Sequence, residues 1–87
     1  MTERERTKVE EKRMIFKQFM DMYDNWNGNT KVNDDNLDTI VEGKTIDIMD
    51  CVAQFHPLTK VENYEKLFAM EVVAFGFYDE ELCVRVA

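Results

Sequence analysis

Hydrophobic positions along this chain change period three times. From Thr2 to Asp24 the spacing is helical: Val9, Phe16 and Tyr23 stand seven apart, with Phe19, Met20 and Met22 beside them. Such spacing gathers side chains on one helical face, and no glycine or proline interrupts it before Asn25. Thr2 with Glu5 three residues on fits a capping box, in which hydroxyl and carboxylate satisfy the free amides of a first turn. The pattern predicts a long helix over residues 3–24. Its halves differ, however. Residues 3–13 carry four acidic and five basic side chains and one apolar residue, Val9, whereas 14–23 are mostly apolar. Residues 1–13 are therefore expected to form charged first turns, partly projecting into solvent, ahead of one globular domain over 14–87. Asp24-Asn25-Trp26-Asn27-Gly28-Asn29 ends the helix, because short polar side chains bond their own backbone and Asn and Gly accept left-handed angles.

Beyond that turn the period falls towards two. With Gly43-Lys44 as a hairpin turn, Leu37, Thr39, Val41, Ile46 and Ile48 share one face opposite Asp38, Glu42 and Asp47. Helical readings compete through Leu37/Ile40/Val41 and through Ile48/Met49/Val52/Phe55. The expectation is a hairpin passing into a short helix around 49–55, which must end before Pro57 because proline pushes its predecessor from helical angles. Thr59-Lys60-Val61-Glu62 is a second capping box, followed by Val61, Tyr64, Leu67 and Phe68 at helical spacing, so a helix is expected over 60–70. Leu82, Val84 and Val86 alternate with Cys83 and Arg85, and Val72 to Phe77 is apolar, which predicts a C-terminal hairpin turning at Tyr78-Asp79-Glu80-Glu81. The expected fold is α+β: a long N-terminal helix and a second helix packed on a small antiparallel sheet with a C-terminal β-hairpin. A mostly α fold is the alternative.

Composition narrows the chemistry. Among 87 residues there is no serine, one histidine (His56), one proline and two cysteines (Cys51, Cys83), with glycine only at 28, 43 and 76. A serine nucleophile, a glycine-rich phosphate loop and a zinc site of four Cys/His ligands from one chain are excluded. Cys51 and His56, five apart on a helix, point in different directions and do not make a nucleophile pair. Both cysteines read as small buried hydrophobes with free thiols. Carboxylate neighbours such as Asp34/Asp35 and Glu80/Glu81 are adjacent rather than convergent. No enzyme and no cofactor is expected. No continuous apolar segment resembles a signal peptide or a membrane span, so the expected location is cytoplasmic, without a membrane partner.

Charge is the more informative feature. The net charge is −7, and because residues 1–13 sum to +1, residues 14–87 carry −8. Nucleic-acid binding needs the opposite sign, so direct binding is disfavoured. A surface of this sign attracts a basic protein and speeds its capture. The expected function is a small acidic, non-enzymatic interaction protein that binds a basic protein surface, as inhibitor or regulator of a nucleic-acid-binding protein. The candidate acidic patch is Asp34, Asp35, Asp38, Glu42 and Asp47. Ile15, Met22 and Trp26, on the flank of the first helix, are candidates for a partner or homodimer interface, since Met adapts to irregular surfaces and Trp anchors contacts. A homo-oligomeric assembly subunit is the first alternative.

Residues 16–37 also resemble a degenerate EF-hand: helical Phe16 to Asp24, then Asn25-x-Asn27-x-Asn29 and Val32. The likeness implies a calcium loop with oxygen ligands at alternate positions. The bend glycine of that family is Thr30 here and its closing glutamate is Asn36, so no ligand set carries over and no metal site is assigned.

Overall fold

The computed structural model describes residues 14–23 and 26–87. Chain order is α1 (Phe16–Met22), β1 (Asn29–Asn33), β2 (Thr39–Lys44), α2 (Thr45–Met49), α3 (Tyr64–Phe68), β3 (Val72–Tyr78) and β4 (Glu81–Val86). The strands form one sheet in the order β2-β1-β4-β3. β1 runs antiparallel to β2 but parallel to β4, and β4 is antiparallel to β3. The fold is α+β as expected, but the sheet is mixed rather than antiparallel, because β4 returns into the gap between β1 and β3.

Alternation along the strands builds two faces. Val41, Val32, Val84 and Phe75 form one row across the sheet, and Gly43, Thr30, Leu82 and Phe77 the next. On this side Phe16 and Met20 of α1, Ile48 of α2 and Leu67 of α3 complete a core with Val32, Ile40, Val41, Leu82, Val84 and Val86. The register shift between Val32 and Asn33 leaves Ile40 without a partner in β1, which lets Ile40 and Val41 both be buried. The opposite face carries Asn29, Lys31, Asn33, Glu42, Lys44, Ala74, Gly76, Tyr78, Glu81, Cys83 and Arg85, and the helices all lie on the other side.

The expected helix over 3–24 is reduced, within the described residues, to the seven residues of α1. Residues 14–16 are instead tied to the start of β3. Val72 N–H donates to Met14 O at 2.8 Å and Phe16 N–H to Met70 O at 2.7 Å, with Ile15 extended (φ −78°, ψ 162°) and bridged to Glu71. Backbone held along another strand cannot also continue a helical ladder. Residues 1–13, with the Thr2/Glu5 box, lie outside the described residues.

The hairpin expected to turn at Gly43-Lys44 turns earlier. Asp34 Oδ1 accepts from the N–H groups of Asn36 and Asp38, both at 2.9 Å, and Asp34 N–H donates to Asp38 O at 2.8 Å. Leu37 takes φ 69° and is exposed rather than on a buried face. Gly43 sits within β2 opposite Thr30, and Ile46 and Ile48 belong to α2. That helix occupies 45–49 rather than 49–55. It ends in a Schellman motif: Cys51 N–H donates to Ile48 O at 3.1 Å and Val52 N–H to Asp47 O at 2.9 Å, with Cys51 left-handed at φ 63° where glycine is usual. Cys51 is consequently exposed, not buried, and Cys83 is half-buried; both thiols are free.

α3 is shorter than the expected 60–70. Its cap is Asn63, whose Oδ1 accepts from Lys66 N–H at 2.8 Å. Thr59 Oγ1 accepts only from Val61 N–H at 3.2 Å, within a turn that sends Val61 into the core. Tyr64 anchors the helix by donating its hydroxyl to Ala53 O at 2.6 Å. Burial first, then the Cys51 and Asp47 charges, push that hydroxyl up to about 12. The C-terminal hairpin forms as expected. Asp79 and Glu80 have φ 54° and 66°, the two left-handed residues of a type I′ turn, and Tyr78 pairs with Glu81.

Thr30 and Thr45 are the buried polar side chains among the described residues, and their hydroxyls bond each other at 2.6 Å. Removing one partner strands the other without a bond. Thr45→Val is expected to cost about 1–3 kcal/mol, and Thr30→Val/Thr45→Val together less than the sum of the single changes, measured as a double-mutant cycle in urea. Cys51→Gly should gain about 1 kcal/mol by relieving the left-handed backbone at the end of α2, read from the same urea midpoint.

Candidate functional site

The five carboxylates assigned to one patch do not share a surface. Asp34, Asp35 and Asp38 occupy the β1–β2 turn, and Asp34 is engaged in holding that turn. Glu42 lies on the open face of the sheet, opposite Lys31 of β1. Asp47 is in the first turn of α2, on the helical side. A different pair meets instead: Glu42 and Glu81, near Lys31 and close to Asp79. Burial, then a hydrogen bond and the charge from Glu42, raise the Glu81 carboxyl above its ordinary range, while Lys31 pulls it down. The neighbouring Cys83 thiol is also raised, first by burial and then by the Glu81 charge.

Of the apolar flank, Ile15 is half-buried in its bridge to Glu71. Trp26 is half-buried, with Nε1–H donating to Met20 O at 3.2 Å, so it closes the end of α1. Met22 is exposed, at 68%. It lines a groove of about 430 Å³ between α1 and β3 with Met14, Phe19, Tyr23, Val72 and Phe75.

That groove borders the feature that residue pattern missed. β3 reads Val-Val-Ala-Phe-Gly-Phe-Tyr, seven residues without a charge, and it is an edge strand. Phe75, Phe77 and Tyr78 are 63%, 59% and 66% exposed. α1 covers the two phenylalanines from one side only, with Phe19 4.8 Å from Phe75 and Tyr23 6.0 Å from Phe77 between ring centres. On the open face the Tyr78 ring lies over Gly76, so close that a Cβ there would come within 3.2 Å of it. Pairing alternates away from a two-residue turn whose flanking residues, Tyr78 and Glu81, bond each other. Gly76 and Ala74 therefore turn their backbone groups to β4, and Phe77 and Phe75 turn theirs outward. Among the described residues nothing pairs with those outward groups.

The two sheet edges are treated differently. On β2, Val41 bridges Phe55 and His56 N–H donates to Ile40 O at 2.8 Å, so backbone from the α2–α3 connection covers it. On β3, among the described residues, only the start is covered, by residues 14–16. Residues 67–84 contain no Lys, Arg or His, while Glu71 stands at one end of β3 and Asp79, Glu80 and Glu81 at the other.

Other candidate chemistry stays dispersed. Cys51 ends α2, and His56 Nδ1 accepts from Leu58 N–H at 3.2 Å. Residues 29–33, which the EF-hand likeness would place in a calcium loop, are strand β1, and their side chains alternate between faces instead of converging. Among the described residues no three His, Cys, Asp or Glu side chains gather as a metal site, and no helix is long and apolar enough to cross a membrane. No family model, curated protein or solved structure matches this chain.

The Glu81 shift has a definite sign. The folded protein holds this proton more tightly than the unfolded chain, so both are protonated below the ordinary carboxylate range. As pH rises from there through the raised folded value, the unfolded chain ionises first and the folded state loses relative stability. Glu81→Gln should therefore match the parent near pH 3 and exceed it in thermal stability by about pH 7, followed by melting temperature across that range.

Proposed function

We propose that this chain is a non-enzymatic interaction protein that binds a basic protein surface, in its narrower form as inhibitor or regulator of a nucleic-acid-binding protein. The observation that carries the reading is the β3 edge. An aromatic strip, uncharged and with backbone unpaired among the described residues, is bracketed by the carboxylates of Glu71, Asp79 and Glu80, with Arg85 of β4 the cation opposite Ala74. Apolar centres with charged rims are the usual anatomy of a protein contact, and the net charge of −7 favours an encounter with a positive partner. Relative to the expectation from sequence, the weight moves from the β1–β2 turn to the opposite end of the sheet.

A homo-oligomer is the second reading, favoured by the same exposed Met22, Phe75 and Phe77. The two respond oppositely to salt. Like-charged copies associate more readily as salt rises, whereas a basic partner is released. Binding to folded, purified nucleic-acid-binding proteins should weaken as salt is raised from 50 to 500 mM, titrated by calorimetry. Asp79→Asn/Glu80→Gly removes two charges while supplying the preferred type I′ residues, and should weaken capture about tenfold at low salt. Asp35→Asn/Asp38→Asn should change it less. Salt-independent affinity, or a larger loss from the second pair, would remove this reading.

A further inference from the structure

We infer that the outer edge of β3 receives an extended segment of the basic partner as a fifth strand, a mode that rests on the reading above and specifies its recognition. Natural sheets guard their edges with lysine, proline, inward charges or a covering loop. β2 has Glu42, Lys44 and the pairing at Phe55 and His56. Among the described residues β3 has none of these from Ala74 to Tyr78, beyond the register break between Val72 and Ala74, which leaves five residues or about 17 Å of regular strand. At Val72 the edge is already taken, because its amide is bonded to Met14 O.

The chemistry of the incoming strand follows from what it would lie beside. On the helical side its side chains would flank Phe75 and Phe77 and enter the groove under Met22, which calls for apolar residues at alternate positions. On the open side they would pass Ala74, Gly76 and Tyr78, where small or polar residues fit. Lys or Arg at its ends would meet Glu71 and Asp79/Glu80. Backbone bonds supply affinity in such strand addition, and alternate side chains supply selectivity. A second copy fits this edge less well. Setting Phe75 antiparallel to its counterpart would bring together two chains of −7 each and run the acidic Asp79-Glu80 turn of each copy towards the Glu71 end of the other's strand, where Ile15 already holds the edge.

The probe is the peptide Lys-Lys-Val-Thr-Val-Thr-Val-Lys-Lys, titrated into the full chain. It is compared with two forms N-methylated on alternate residues (all three valines, or both threonines), one with Glu for every Lys, and one with a Gly/Ser centre between the lysines. Binding of the parent is expected, with loss of at least about tenfold in one N-methyl form but not the other. The Glu and Gly/Ser forms should lose comparably, and amide exchange at Phe75 and Phe77 should slow on binding. Equal binding of both N-methyl forms, or of the Gly/Ser form, would leave charge attraction as the mode and overturn strand addition while the basic-partner reading stands. A folded basic protein that binds when the peptide does not would do the same. If neither binds, both fall. Sedimentation showing a dimer that excludes the peptide would assign the edge to a second copy.

Discussion

The position of β4 between β1 and β3 is the constraint on which the other placements depend. Leu82, Val84 and Val86 face the core from the centre of the sheet, where neighbours on both sides and helices below remove them from water. Parallel pairing with β1 aligns Thr30 with Leu82 and Val32 with Val84, so two rows run across four strands, one apolar throughout and one carrying the buried Thr30. Those rows in turn give α1, α2 and α3 a common surface on which to bury Phe16, Met20, Ile48 and Leu67.

One consequence is an inversion of the usual economy of a sheet. β3, whose run of apolar residues would suit a central strand, is displaced to the edge, and its phenylalanines are left half-covered by α1. The chain closes the first part of this edge with its own residues 14–16 and closes the β2 edge with residues 55 and 56. The uncovered remainder is consequently localised, aromatic and negatively bordered. Such a surface is costly to expose in water.

A good deal of this was legible along the chain. The C-terminal hairpin turning within Tyr78-Asp79-Glu80-Glu81 was readable because alternation on both sides and polar residues between them are local properties. The helical segment 16–22 was readable from Phe16, Phe19 and Met20. The β1–β2 turn was misplaced because Asp34-Asp35-Asn36-Leu37-Asp38 contains no glycine, and its stability comes from Asp34 Oδ1 accepting two amides, whereas Gly43 drew attention without turning. The start expected at Thr59 failed for a related reason. A capping pattern describes what a free helix would prefer, but at Val61 the backbone is claimed by the core.

The site shows the same division. Sequence alone determined that the domain is acidic, that it lacks a serine nucleophile and a four-ligand Cys/His zinc set, and that aromatic residues are plentiful near both ends, because charge and side-chain inventory belong to the residues themselves. Only tertiary structure decided which carboxylates are neighbours and which aromatics are exposed. Adjacency between Glu42 and Glu81, or exposure of Phe75, depends on strand order. Strand order is set by long-range pairing, for which nearby residues in the chain carry no signal.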